Sequence, residues 1–391
     1  MKNNRTFLEK LLDGAEVEWK PLSLVTEMQR GKTITAKSAN EGKIPVISGG
    51  QKPAYYHSES NRDGKTITVA GSGAYAGYIM YWEEPIFVSD AFSIKTDESL
   101  LQIKYVYHFL LQNQQKIYAM KKGSGVPHVY PKDIGTLTIP IPPLSVQIEI
   151  VKILDALTAL TSELTSELIL RQKQYEYYRE KLLSFDSLEL SGGVVQWIKL
   201  IDLGELIRGN GLQKKDFTET GVPAIHYGQI YTYYDTFATK TKSFVSPELA
   251  KKLKKAKYGD VLIAGTSENL KDVMKPLGWL GSEIAFSGDM FAFRPNKRVN
   301  TKYLTYILQT ERFYKFKEKY AQGTKVIRVK ADNFLNYEIP LPTFEEQHRI
   351  VSILDKFETL TNSITEGLPL AIEQRQKRYE YYRELLLNFK Q

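Results

Sequence analysis

The chain has 391 residues, 53 of them Lys or Arg against 45 Asp or Glu, for a formal charge of +8. That length allows two domains of ordinary size, each with its own core. The absence of cysteine excludes disulfide staples and Cys-containing zinc sites, the five histidines (His57, His108, His128, His226, His348) lie far apart, and the modest basic excess with 25 tyrosines points toward an anionic partner.

The start, Met1 to Arg5, is polar, and no apolar run long enough for a signal or membrane segment follows it, so a soluble cytoplasmic chain is expected. Phe7-Leu-Glu-Lys-Leu-Leu predicts a short helical lead within residues 1–16. Trp19-Lys-Pro-Leu opens a first domain, residues 17–144, with short strands at Lys43-Ile-Pro-Val-Ile, Thr66-Ile-Thr-Val-Ala, Gly77-Tyr-Ile-Met-Tyr and Phe92-Ser-Ile between Gly and Asn/Asp turns. A helix is predicted over residues 103–119, then the loop Gly123-Ser-Gly-Val-Pro-His and a last strand into Ile139-Pro-Ile-Pro. Proline lacks the ladder N–H but fits a first helical turn, so these prolines are expected to end the strand and start a helix.

That helix is marked by apolar residues at steps of four and three: Ile150, Leu154, Leu157, Leu164, Leu168, Tyr175, Tyr178, Leu182 and Phe185. Thr161 and Arg171 interrupt the stripe. The spacing is still that of a heptad seam, and from Ser145 to Phe185 the helix would run about 60 Å at about 1.5 Å per residue. It is too long for an ordinary globular helix and too polar to span a membrane.

The pattern then returns. An offset of 200 keeps Pro140/Pro340, Pro142/Pro342, Gln147/Gln347, Ile150/Ile350, Leu154/Leu354 and Asp155/Asp355 identical. An offset of 204 superposes Arg171-Gln-Lys on Arg375-Gln-Lys and Tyr175-Glu-Tyr-Tyr-Arg-Glu on Tyr379-Glu-Tyr-Tyr-Arg-Glu. Nearer the domain starts, an offset of 178 pairs Trp19 with Trp197, Leu22 with Leu200, Gly31 with Gly209 and Pro45 with Pro223. A whole domain and its helix are duplicated. The expected layout is α+β: a domain at 17–144, a helix at 145–190, a second mixed domain at 191–344 and a second helix at 345–391. In the last of these, Glu366-Gly-Leu-Pro-Leu should break or kink the helix, or Pro369 should begin a new one.

No catalytic motif is present. Gly71-Ser-Gly-Ala-Tyr-Ala-Gly has its third glycine too late for a dinucleotide loop and no helix pattern after it; a turn between strands, or a surface loop facing DNA, remain open. Gly31-Lys-Thr and Gly64-Lys-Thr lack the upstream glycine of a P-loop, and the patterns of hydrolases, zincins, kinases and aminomethyltransferases are missing. The chain therefore reads as non-catalytic, with no metal or cofactor of its own. The basic residues beside equivalent glycines are candidates for DNA contact: Lys32, Thr33 and Lys37 with Lys214 and Lys215, and Lys121, Lys122 and His128 with Lys325, Arg328 and Lys330. Lys251-Lys-x-Lys-Lys-x-Lys is predicted as an exposed helix face, with a solvated face and contact to phosphate both open. In the tyrosine blocks, Tyr175, Tyr178 and Leu182 share the packing stripe, whereas Tyr177 and Arg179, with Tyr381 and Arg383 in the second copy, are candidates for a protein-binding face.

Two domains, each followed by a helix carrying Ile-Pro-x-Pro…Gln…Ile-Val…Ile-Leu-Asp and Arg-Gln-Lys…Tyr-Glu-Tyr-Tyr-Arg, resemble the specificity subunit of type I restriction–modification enzymes. The likeness runs from Leu8-Glu-Lys-Leu-Leu-Asp-Gly to Asn388-Phe, and Ile353-Leu-Asp-Lys-Phe with Leu360-Thr-Asn-Ser-Ile-Thr-Glu-Gly-Leu-Pro is similar to the type IC branch. The resemblance implies two target-recognition domains, each reading half of a split asymmetric double-stranded DNA site, on antiparallel helices that set the spacing. It also implies docking of two methyltransferase subunits, which use S-adenosylmethionine, and of two motor–nuclease subunits, which use ATP and Mg²⁺. A solitary DNA-binding or coiled-coil protein is the rival reading; a fused restriction enzyme is disfavoured by the missing motifs.

One low-complexity feature bears on the spacing, the tandem Thr161-Ser-Glu-Leu and Thr165-Ser-Glu-Leu. In the resembling branch the copy number of such a tetrapeptide sets the unread spacer. A further copy adds about 6 Å of helix and about 40° of net rotation. Inserting a third Thr-Ser-Glu-Leu after Leu168 is therefore expected to lengthen the spacer, by one base pair, with both half-sites unchanged. Methylome mapping checks it, and an unchanged spacer refutes the ruler.

Overall fold

In a computed structural model, residues 6–190 and 195–389 are described; residues 1–5 of the expected lead, 191–194 of the expected second domain and the last two residues lie outside them. The chain forms two compact units, one of Met1–Thr165 with Ala371–Gln391, the other of Ser166–Leu370.

In the first unit the lead is the helix Phe7–Leu12, held by a capping box: the Thr6 hydroxyl accepts from Glu9 N–H at 3.2 Å and the Glu9 carboxylate from Thr6 N–H at 2.8 Å. A four-stranded antiparallel sheet runs in the order Glu27–Arg30, Ala91–Lys95, Thr66–Ala70, Ile79–Trp82, and a smaller sheet pairs Ile44–Ile47 with Tyr55–His57 and, in parallel, with Phe87–Val88. The second unit repeats both. Its larger sheet runs Gly204–Arg208, Met290–Pro295, Val261–Ala264, Pro276–Trp279, with Phe237–Ala238 added at the edge; its smaller sheet carries Val222–Ile225 parallel to Ile284–Phe286.

The four strands expected in the first unit all form. Three further edge strands were not legible: Glu27–Arg30 is mostly exposed and polar, and Tyr55–His57 and the buried Phe87–Val88 are too short to show an alternation. The helix expected over 103–119 forms as two, Ile103–Gln112 and Gln114–Ala119, parted at buried Asn113, whose side chain donates to Phe109 O at 2.9 Å. The lysine run after Pro247 corrects the expectation of a helix face. That helix ends at Ala250, and the run continues as a turn and the strand Lys255–Ala256. Asn210 grips the backbone of that turn, donating to Lys252 O at 2.9 Å and accepting from Lys254 N–H at 2.7 Å.

Each unit ends in a two-stranded ribbon that launches a helix: Glu18–Pro21 with Thr138–Ile141, and Gln196–Lys199 with Glu338–Leu341, so that Trp19 faces Pro140 and Trp197 faces Pro340. Pro140 and Pro340 thus lie inside their strands rather than ending them, tolerated because a two-stranded ribbon leaves one edge without ladder bonds. The first long helix is Leu144–Leu182. The second is divided, as its Gly-x-Pro predicts, into Phe344–Asn362 and Gly367–Leu387, with Gly367 at a φ of 81°.

What fixes each helix to its sheet is a repeated set of buried polar contacts. Gln147, fully buried, donates to Pro142 O (2.8 Å) and Leu100 O (3.1 Å) and accepts from Gln102 N–H (2.9 Å). Gln347 does the same with Pro342 O (3.1 Å), Arg298 O (3.0 Å) and Asn300 N–H (2.8 Å). Tyr105 and Tyr303 donate to Pro140 O and Pro340 O at 3.0 and 2.8 Å, and Lys104–Asp155 and Lys302–Asp355 form matching ion pairs at 2.9 and 2.5 Å. The fourth contact differs: Asp155 meets His108 Nε2 at 2.9 Å, while Asp355 accepts from the Tyr306 hydroxyl at 2.8 Å. Burial alone would raise the Asp155 pKa, but His108 and Lys104 outweigh it and hold the carboxyl below its usual range.

The cores are closed from a distance. In the first unit Tyr379, Leu386, Leu387 and Phe389 join Ile139, Ile150 and Leu154, and Tyr379 Oη lies 3.0 Å from His108 Nδ1. In the second, Tyr175, Leu183 and Leu188 join Ile339, Ile350 and Leu354. Each unit therefore holds the start of its own helix and the tyrosine-bearing end of the other domain's.

Replacing Gln347 by Leu keeps most of the volume but orphans two carbonyls and an N–H. An unsatisfied buried group costs about 1–3 kcal/mol, so a destabilisation of at least about 2 kcal/mol is expected in urea unfolding. A loss below about 0.5 kcal/mol, the range of ordinary surface changes, would show that the Gln347 contacts do not hold the helix to its sheet.

Candidate nucleic-acid interface

The loops bearing the predicted cations are built on the same backbone frame in both units. Gly31 follows Glu27–Arg30 and Gly209 follows Gly204–Arg208, and at both places two chain segments nearly touch: a Cβ on Gly31 would lie 2.1 Å from Ser89 O, and one on Gly209 2.0 Å from Ser287 O. Only glycine fits, which is why this pair survives in the repeat. Beside them, Gly71 and Gly265 donate their N–H to Asp90 O (3.1 Å) and Asp289 O (2.8 Å).

A third loop completes the frame. Residues 122–128 and 322–328 are matching hairpins, closed by Lys122 and His128 exchanging backbone hydrogen bonds at 2.9 and 2.8 Å, and by Gln322 and Arg328 doing so at 2.9 Å each. Gly123 and Gly323 take positive φ, 109° and 106°. The hairpins lean on the neighbouring loop, through the Ser72–His128 bridge in one unit and the Thr266–Ser267 to Ile327–Arg328 ribbon in the other. The Gly71 segment is thus a turn between strands, as one of the two readings expected, and it lies against a cation-bearing loop.

Within this frame the candidate side chains differ in freedom. Lys32, Thr33 and Lys37 are exposed, as are Lys214, Lys215, Lys325, Arg328 and Lys330. Among the described residues none of these cations is held in an ion pair. Lys122, by contrast, is paired to Asp133 at 2.8 Å, and half-buried Lys121 donates to Ala74 O at 3.1 Å and sits 4.6 Å over the Tyr118 ring. His128 is half-buried and stacks on Tyr130 at 6.0 Å. Lys214 lies near His226, whose pKa is lowered by burial and by that charge.

The tyrosine blocks divide as face and core. Tyr175 and Tyr379 are buried, while Tyr177 and Tyr381 are 58% and 62% exposed and each packs edge-on against its neighbour, Tyr178 or Tyr382. Tyr178, expected to pack, stacks on Phe357 at 5.5 Å yet stays 40% exposed. Arg179 and Arg383 are half-buried and turn inward over the Tyr175 and Tyr379 rings at 5.5 and 5.0 Å, in cation–π contact with the aromatic face. The exposed pairs, not the arginines, are the free surface. Among the described residues no group of His, Asp or Glu is arranged to hold a metal, and no helix is long and apolar enough to cross a membrane.

A family model described as the type I restriction modification DNA specificity domain matches residues 16–171 and again residues 195–374. A protein described as a type I restriction enzyme specificity subunit from Haemophilus influenzae is 40% identical over 411 residues, spanning all of both chains. The EcoR124I/EcoR124II specificity subunit of Escherichia coli is 31% identical over 418 residues, covering 98% of this chain and 97% of its own. The fold is similar to a crystal structure of a type I restriction–modification S subunit from M. genitalium, with a TM-score of 0.62 at 17% identity over 97% of this chain and 98% of that one.

One buried cation underlies the second face. Lys317 is 6% exposed and donates to Lys271 O (2.8 Å) and Val273 O (2.9 Å), pinning the segment between Thr266–Ser267 and Met274, a buried non-glycine residue at a φ of 58°. Burial lowers the Lys317 pKa to about 8 from 10.5, against the pull of Asp272. Above about pH 8 the unfolded chain then binds the extra proton, so stability rises with pH until tyrosines titrate near about pH 10. Lys317→Met is expected to flatten that rise, measured as melting temperature from about pH 7.5 to 9.5; an unaltered slope would assign the pH dependence elsewhere.

Proposed function

The chain belongs to the type I restriction–modification DNA specificity family, and from that membership we propose that it is the non-catalytic subunit that selects the DNA sequence. Its two domains, residues 17–144 and 191–344, are the target-recognition domains, each taking one half of a bipartite, asymmetric duplex site. The observation that carries this reading is the repeated glycine frame. Gly31/Gly209, Gly71/Gly265 and Gly123/Gly323 hold the same backbone in both units, while the exposed side chains around it differ, Lys32, Thr33 and Lys37 in one, Lys214, Lys215, Lys325 and Arg328 in the other. One scaffold with two surfaces reads two different half-sites, as a symmetric dimer cannot. Exposed lysines supply sequence-independent attraction to phosphate; Arg328 has the fork that suits a base edge.

The exposed tyrosine pairs, Tyr177 with Tyr178 and Tyr381 with Tyr382, are the surface we assign to methyltransferase subunits; amphipathic aromatics exposed on a rigid helix are typical interface anchors. Two such subunits would supply S-adenosylmethionine and the adenine methylation, and two motor–nuclease subunits the ATP- and Mg²⁺-dependent cleavage. The chain's own part is to hold the duplex in register for them.

The two surfaces separate experimentally. Arg328→Ala with Lys325→Ala is expected to weaken binding of the specific duplex by about 1–3 kcal/mol and to lower the salt slope by about one, leaving methyltransferase co-elution intact. Tyr177→Ala with Tyr381→Ala is expected to do the reverse. Unchanged DNA affinity and salt dependence in the first pair means that the hairpin faces away from DNA; normal assembly of the second pair removes the tyrosines from the interface.

A further inference from the structure

Both faces carry an exposed carboxylate at the same place. Asp90 and Asp289 stand in the turn that the frame encloses, after Phe87–Val88 and Ile284–Phe286, and each gives its carbonyl to the glycine of the neighbouring loop. The sequences around them, Val88-Ser-Asp-Ala-Phe and Phe286-Ser-Gly-Asp-Met-Phe, differ by one inserted residue, yet the aspartate stays opposite the same glycines, Gly71 and Gly265. Neither is in an ion pair among the described residues. In the first unit the Asp90 carboxylate meets the Ser72 hydroxyl and lines a cleft of about 180 Å³ together with Arg30, Thr33, His128 and Tyr130. In the second, Asp289 lies close enough to His226 and Tyr231 for its charge to oppose the fall in the His226 pKa.

An anion in this position conflicts with a role toward the DNA backbone. On a surface that otherwise offers Lys32, Thr33 and His128, or Lys214, Lys215 and Arg328, a carboxylate facing phosphate is purely repulsive. It is favourable only where DNA presents donors, which in the major groove are the exocyclic amino groups, N4 of cytosine and N6 of adenine. From the recurrence of this residue inside both frames, we infer that Asp90 and Asp289 each accept a hydrogen bond from a base amino group, one in each half-site, and so fix one base pair of each. The inference rests on the reading of these faces as DNA-binding.

The test uses the full chain and a random duplex library. Asp90→Ala is expected to relax selection at a single base pair of one half-site and Asp289→Ala at a single base pair of the other, discrimination there falling roughly tenfold. Duplexes in which the base at that position lacks its amino group, 2-pyrimidinone for cytosine or purine for adenine, identify which donor is read. Wild type should lose about tenfold on the deaminated duplex, whereas the Ala variant should lose nothing further. Asp90→Asn and Asp289→Asn, which keep the shape of the turn, guard against a folding defect. Uniformly weakened binding with the selected sequence intact in the Ala and Asn variants, or no change in either property, overturns the inference and leaves the aspartates as turn residues. If Arg328→Ala with Lys325→Ala also fails to alter DNA binding, the fault lies with the assignment of the face itself.

Discussion

A buried glutamine amide governs how each helix leaves its domain. An amide in an apolar interior is stable only when its donors and acceptor are all matched, and Gln147 and Gln347 match them with backbone groups that precede the domain's helix and the proline turn that starts the next one. The geometry admits one arrangement, so the direction of the long helix relative to the sheet of its own unit is set. Lys104–Asp155 and Lys302–Asp355 add a second tether about two turns further along. Those pairs are about one-third exposed, so their worth lies more in angle than in energy.

Much of this was legible because duplication made two readings of one design available. Strands rich in β-branched residues, the proline exit, the long helix and its break at Gly367 all follow from local chemistry. The identity of Gln147 with Gln347 was visible too, but its meaning was not, since the partners are main-chain groups, two of each three lying 45 to 49 residues away, that carry no side-chain signal. The heptad stripe likewise misplaced its end. Leu183, not Leu182, is the fully buried residue, and Phe185 opens a separate helix, Phe185–Leu190, stacking on Trp197 at 5.1 Å. Periodicity identifies a face; which residues of that face are covered depends on what the rest of the chain brings to it.

At the candidate interface the legible part was again backbone. Equivalent glycines marked the loops, because close approach and positive φ leave few substitutes. Which cations stand unengaged was not legible: Lys122 and Arg179 look as available in sequence as Lys325, yet Asp133 pairs the one and the other lies over the Tyr175 ring. The aspartates were overlooked for a related reason. A carboxylate carries the wrong sign for phosphate, so nothing in the sequence marks Asp90 or Asp289 as part of a basic face.

The borrowing of helix ends between domains has a consequence for the order in which the protein forms. The second unit is a continuous stretch, Ser166–Leu370, whereas the first must wait for Ala371–Gln391, and Tyr379 reaches His108 across 271 residues of chain. On the ribosome, the domain made first is therefore the domain completed last. Until the final helix emerges, the sites on Ile139, Ile150 and Leu154 that it covers face water or a chaperone. The entropic cost of closing so long a loop grows only as the logarithm of its length. The delay is thus set by translation, and a nascent first domain spends most of synthesis with an open seam that the tyrosine-bearing end of any sister helix would fit.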